Sequence, residues 1–272
     1  MNKSLFMPLV LAAAVSSACL LTTLSQGGSP SGTRAPGSGG ETAVPGGLFG
    51  RSPTPTSTLV PSKPVSIREG LASLNSYVLT IDMTSSGPSP ADSSHIIYEM
   101  QYSQDLDARM GHTVVEVSTK EEPDQDPMDS TSYRIGNDEC TGSKEDWTFT
   151  PMTPAQREMV DLAQDMLNIT PLIENPTFVG SETLNGVLTN HFTFALAGLG
   201  VKSGAEVTAN EGEYWLAQDG LYIMRYHLLA ETRSGPQAEV MRQEVRVEMT
   251  SINQPLTIAF NDWCLKEKAK AE

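Results

Sequence analysis

Basic side chains are scarce in this 272-residue chain: 18 stand against 33 acidic ones, and there are only four histidines and three cysteines. The shortage is sharper past residue 64. Residues 1–64 hold Lys3, Arg34, Arg51 and Lys63 against Glu41 alone, so 65–272 hold 14 basic and 32 acidic residues, a net charge of −18. A field of that sign repels phosphate backbones and anionic head groups, which excludes nucleic acid as a partner and electrostatic docking on a membrane. Catalytic signatures are missing as well. His95, His112, His191 and His227 stand singly, with no HExxH pair, and there is no GxSxG elbow and no CxxC. Asp124, Asp126 and Asp129 crowd one loop without the central glycine and terminal glutamate of a calcium loop. Gly198-Leu199-Gly200 reads as a loop, and Glu211 and Glu213 as solvated strand positions. No metal, cofactor or enzymatic activity is expected.

What is present begins with export. Lys3 precedes an apolar run, Leu5 to Val15, of signal-core length and too short for a membrane span. Ser16-Ser17-Ala18-Cys19 follows and resembles the bacterial lipobox, although Ser16 stands where Leu is usual. The resemblance makes residues 1–18 a lipoprotein-type signal peptide and Cys19 the lipidated first residue. Cleavage after Ala18 by an ordinary signal peptidase, and an uncleaved anchor extended through Leu20, Leu21 and Leu24, are the alternatives. With Cys19 lipidated, Cys140 and Cys264 are left as an even pair. A Cys140–Cys264 disulfide is expected of an exported protein, the alternative being two buried free thiols. The expected location is the outer side of a membrane, facing the periplasm or the exterior.

From Thr22 to Pro64, 30 of 43 residues are Gly, Pro, Ser or Thr. With no periodic apolar face to bury, the segment cannot offset its ordering entropy, so residues 19–64 read as a tether spanning roughly 35–40 Å as a flexible chain.

Beyond Pro64 the signals are mostly those of strands. A short helix is predicted over 67–74, opened by a Ser66–Glu69 capping box. Period-two alternation then predicts strands at 77–84 and 96–103, a shorter one near 112–119, and others around Tyr133–Ile135 and Trp147–Phe149, with Cys140 and Gly142 in a loop. Thr153, Pro154 and Gln156 open a long helix whose stripe includes Met159 and Met166. Strands resume at 178–179 and 187–196 around an Asn185-Gly186 turn, at 213–218 and 221–231 around Asp219-Gly220, then at 239–251 and 256–260. The expected fold is α+β: a large curved antiparallel sheet with helices packed on its inner face. Residues 65–265 form the domain and 266–272 a charged tail.

Two hairpins carry a family resemblance. Gly180-Ser181-Glu182-Thr183-Leu184-Asn185-Gly186 through His191-Phe192, followed by Tyr214-Trp215 to Asp219-Gly220-Leu221, resembles the LolA-like lipoprotein-carrier fold and is most similar to its LppX/LprG-type lipoproteins. The resemblance covers about 65–262. It implies a half-barrel whose apolar cavity holds acyl chains, a lipid ligand, and an envelope transporter or a partner lipoprotein among the partners of a monomer. It assigns no ligand-binding residue. The inner-face candidates come from the strand alternation and the helix stripe: Leu79, Ile81 and Met83; Tyr98 and Met100; Met159 and Met166; Phe192 and Phe194; Val245, Val247 and Met249. Methionines suit a cavity that receives flexible chains. The other reading is a stalked surface interaction or sensor module with a filled core and no ligand.

Overall fold

The computed structural model describes residues 67–87, 93–119, 126–157, 174–195, 206–233 and 239–272, all in the second of the chain's two units, Pro61–Glu272. The leader with Cys19, the tether, the Ser66 cap, the helix beyond 157 with Met159 and Met166, Gly198–Gly200 and Asp124 lie outside the described residues.

Eleven strands form one antiparallel sheet. In chain order they are β1 (Ser76–Ser86), β2 (Ser93–Ser103), β3 (Ala108–Ser118), β4 (Met128–Ile135), β5 (Asp138–Ser143), β6 (Asp146–Pro151), β7 (Glu174–Leu184), β8 (Val187–Ala195), β9 (Glu206–Ala217), β10 (Ile223–Arg233) and β11 (Val240–Thr250). Helix α1 (Ile67–Ala72) precedes them and α2 (Asp262–Ala271) follows. The spatial order is β6-β5-β4-β3-β2-β1-β11-β10-β9-β8-β7. The sheet is open, and β6 and β7, consecutive in the chain, stand at its opposite edges.

Local chemistry explains the turns. Asn185 and Gly186 both have positive φ (50° and 83°), as a two-residue hairpin between twisted strands requires. The β9–β10 connection is longer than the expected Asp219-Gly220 pair. Positive φ falls on Gly220 and Leu221, and the Ala217 N–H closes the loop on the Tyr222 carbonyl at 2.9 Å. At the start of the interrupting helix, Gln156 N–H donates to Thr153 Oγ1 (3.3 Å) and Thr153 N–H to Gln156 Oε1 (2.8 Å), the reciprocal capping box.

Three expectations need correction. Cys140 and Gly142 lie in a strand, β5, and not in a loop. Asp-Glu-Cys-Thr-Gly-Ser has little apolar character, but pairing with β4 on one side and β6 on the other supplies its hydrogen bonds. Residues 256–260 are not part of the sheet. They run outside it and lead into α2, where residues 266–271, read as a charged tail, continue the helix. Asn261 caps that helix by accepting the Cys264 N–H at 2.8 Å, and Lys268 and Lys270 sit in its last turn, where the dipole favours cations.

The apolar side chains change face across the sheet. From β1 through β3 and β8 through β11 most of them share the side of Ile81. At β4–β6 the register puts Tyr133, Cys140 and Phe149 in one cross-strand row, on the opposite side from Ser132 and Thr141. There α2 and its lead-in cover them: Phe260 meets Tyr133 and Phe149 edge-on, with centroids 6.3 and 6.0 Å apart, and Cys264 is bonded to Cys140. The C-terminal helix thus packs on the face opposite Ile81, where one inner helix layer was expected.

Candidate ligand-binding face

Two uninterrupted rows of side chains run across the Ile81 face. The first joins Ser130, Thr113, Tyr98, Ile81, Val247, Tyr226, Tyr214, Phe192 and Phe178, each directly opposite the next on neighbouring strands. The second joins Met128, Val115, Ile96, Met83, Val245, Leu228, Gly212 and Phe194. At about 4.8 Å per strand the longer row spans about 38 Å along the sheet. A row of this kind arises because alternation is in register from strand to strand, so the pairings from β2 through β11 to β8 add mostly apolar side chains to the same line.

Packing is uneven along the rows. At β8–β10 the face is filled: Phe192 is 1% exposed and Tyr214, Leu216 and Tyr226 are 0%. The rings of Phe192 and Tyr214 stack at 5.1 Å, and Phe194 lies 5.6 Å from Tyr226. Toward β1–β3 and β11 the cover thins. Leu79, Met83, Tyr98 and Val245 pack against the cluster but are only half-buried, as are Ile96 and Val115, and Met128 and Met241 are exposed. Burial pushes the phenols of Tyr98, Tyr214 and Tyr226 above their ordinary range, so all three are neutral hydroxyls.

The sequence candidates therefore divide. Ile81, Val247, Phe192 and Phe194 are fully packed core, whereas Leu79, Met83, Tyr98 and Val245 form the half-buried strip. Met100 and Met249 belong to a second cluster with Leu74, Tyr77, Trp215, Ala217, Tyr222 and Met224. Met159 and Met166 lie outside the described residues. Tyr214, Leu216, Tyr226 and Leu228 were missed as candidates, although the alternation Tyr226-Leu228-Ala230 carries the same signal as β1.

The second cluster is held by the resemblance-bearing hairpins. Trp215 stacks on His191 (4.1 Å, 5° between planes), donates its Nε1–H to Glu182, and lies under the Arg225 guanidinium at 5.5 Å. Asn185 at the β7–β8 tip donates to the Met249 carbonyl at 3.2 Å. Leu184 and Val187 complete the contact. In this structure Glu182, His191 and Trp215 hold two hairpins together.

The opposite face from β1 to β3 and from β8 to β11 is mainly polar, interrupted by Trp215 and by aliphatic residues such as Ile97 and Leu229, and it carries all four histidines, each beside a carboxylate. His95 lies 3.0 Å from Asp82 and 3.4 Å from Glu116; His112 lies 3.0 Å from Asp129. His191 and His227 flank Glu213 at 3.2 and 3.5 Å, and His227 reaches Glu244 at 2.9 Å. These partners come from neighbouring strands, which is why sequence spacing could not show them. Glu244 also pairs with Arg246 at 2.6 Å. The hydrogen bond from His227, supported by Arg246 and opposed by burial, holds its carboxyl below the usual range. A depressed carboxyl pKa contributes stability above the unfolded value of about 4.3 and loses it as pH falls through the folded value. Glu244→Gln is therefore expected to be a few tenths to about 1 kcal/mol less stable near neutral pH. In urea titrations over a pH series the gap should close in acid, and a gap constant down to acid pH would exclude this origin.

No family model matches the chain, and no curated protein matches it in sequence. Among solved structures it is similar to the lipoprotein LppX of Mycobacterium tuberculosis, at 15% identity over 71% of this chain and 94% of that one, with a TM-score of 0.37. It is similar to LprF of Mycobacterium bovis at 12% identity over 71% and 92% of the two chains, also at 0.37. Scores at this level leave the fold to be read from the strand order itself.

Proposed function

We propose that this protein is an exported lipoprotein, anchored through Cys19 and a tether, that binds a lipid or another long apolar ligand against the Ile81 face of its sheet. The observation that carries the reading is the half-buried strip of Leu79, Met83, Ile96, Tyr98, Val115 and Val245, continuous with a packed aromatic cluster. Val115, Ile96, Met83 and Val245 stand directly opposite one another in one row, with Leu79 and Tyr98 beside it, and a patch of partly exposed apolar side chains of this kind marks a place where something is laid on the surface. Flexible Met83 beside branched Val115 and Val245 suits an acyl chain, and the hairpin resemblance points the same way. Burying about 400 Å² of acyl surface is worth on the order of 10 kcal/mol before association costs. The net charge of −18 over residues 65–272 keeps a carrier from adhering to anionic membranes between encounters. The protein works as a monomer, receiving from or delivering to an envelope transporter or a partner lipoprotein.

Native mass spectrometry and organic extraction of the purified protein should reveal a co-purifying lipid, and a fluorescent fatty-acyl probe should bind with micromolar or better affinity. A chain that emerges clean and ignores the probe would overturn the reading. The fully packed cluster at Phe192, Tyr214 and Tyr226 favours a second one: a filled-core module that docks a protein partner. That reading predicts no bound lipid at all.

A further inference from the structure

Tyr226 is fully buried, yet among the described residues its hydroxyl has no hydrogen-bond partner. The ring is well placed: it is opposite Val247 on β11 and Tyr214 on β9, and 5.6 Å from Phe194. A phenylalanine would supply all of that packing without burying an orphan donor, which is penalised in an apolar site. The hydroxyl therefore asks for an acceptor that the described residues do not supply. The surroundings restrict what it can be. Its nearest neighbours along the rows, Val247, Tyr214, Val245, Leu228, Gly212 and Phe194, are all uncharged. The ionic groups of β9–β11, Glu213, His227, Glu244 and Arg246, lie on the opposite side. A carboxylate or phosphate placed beside Tyr226 would lose its hydration and gain no counter-charge. A neutral carbonyl would gain a hydrogen bond and leave no charge buried.

Resting on the lipid-binding reading above, we propose that Tyr226, closed over in this structure, becomes the polar anchor of the site when an entering ligand parts its cover, and that the ligand is a neutral acyl compound whose ester or amide carbonyl accepts from the Tyr226 hydroxyl. The hydrocarbon would then extend along the row past Ile81 toward Tyr98, where the face is less covered. The anchor sets the ligand's position along the row and discriminates esterified chains from free fatty acids and from hydrocarbon.

The test uses the full chain and three pyrene-labelled probes of equal length: a methyl ester, the free acid and the plain hydrocarbon. Wild type should bind the ester about tenfold tighter than the hydrocarbon, since one well-made hydrogen bond is worth about that factor. Tyr226→Phe should bind both equally, with hydrocarbon affinity unchanged and thermal stability equal or higher. Tyr133→Phe, which changes a phenol on the opposite side, should keep the ester preference. An ester preference that survives Tyr226→Phe, or free acid bound as tightly as ester by wild type, would overturn the assignment. So would a melting temperature several degrees lower in Tyr226→Phe, because the hydroxyl would then have a partner within the protein. If no probe binds wild type, the lipid reading itself fails, and the anchor with it.

Discussion

Replacing Cys140 and Cys264 together by alanine is expected to cost about 4–5 kcal/mol of stability. The two residues are 124 positions apart. Constraining a loop of about 100 residues removes close to 4.7 kcal/mol of chain entropy from the unfolded state. The loss should concentrate at the C-terminal helix. Both cysteines are completely buried, and the disulfide joins α2 to β5 within a patch built by Tyr133, Trp147, Phe149 and Phe260. Without it, α2 keeps the Lys268–Asp138 pair at 2.7 Å and Lys268 above Phe149 and Phe260. Such partly exposed contacts are worth far less than the covalent link. Urea unfolding of the oxidised chain and the double alanine variant should therefore differ strongly in midpoint. Amide exchange over 262–271 should rise in the variant before exchange in β1 or β11 does. A loss below about 1 kcal/mol would show that the aromatic patch alone seats the helix. Intact mass measured before and after reduction should differ by about 2 Da, as one disulfide requires.

Gly212→Ala is expected to cost about 2–3 kcal/mol. Gly212 is buried in β9 directly opposite Phe194 on β8, and a Cβ built on it would lie 2.3, 2.5 and 2.6 Å from three carbons of the Phe194 ring. The ring lies over the glycine because nothing else fits between it and the strand. It cannot simply retreat: Tyr214 holds it at 5.8 Å and Tyr226 at 5.6 Å. The two residues should therefore be strongly coupled. Phe194→Ala alone should cost about 3–5 kcal/mol through the cavity it leaves. In that background the extra cost of Gly212→Ala should nearly vanish, because the clash is gone. Additive losses in the double-mutant cycle would mean that the glycine serves the backbone and not the ring.

Several parts of this structure could be read from residues alone because their cause is local. Alternation at Tyr77–Met83 and Met241–Met249 depends only on the period of a strand, and the two strands pair as β1 and β11. The Asn185-Gly186 turn follows from the positive φ that those residues tolerate. The Thr153–Gln156 box follows from capping chemistry. What escaped the reading was non-local. β5 is polar and Gly-containing, and it is a strand because β4 and β6 bracket it. The histidine–carboxylate pairs join strands 13 to 22 residues apart, as His95–Asp82 and His191–Glu213 show. The candidate site was half legible. Leu79, Met83, Tyr98 and Val245 carry the right period, but nothing in the period distinguishes them from Ile81 and Val247, which are core.

Composition and periodicity by themselves determined that the chain past residue 64 is acidic and made mainly of antiparallel strands with one apolar side to most of them, and that three cysteines allow one disulfide and no more. Those properties reside in charge count, a period of two and parity, none of which needs a partner in space. Only the tertiary structure decided that apolar character crosses to the other face at β4–β6, that α2 covers it there, and which side chains along the Ile81 face are closed over and which are left half open. Burial depends on how many strands and helices converge on a position, and that number is a property of the assembled sheet.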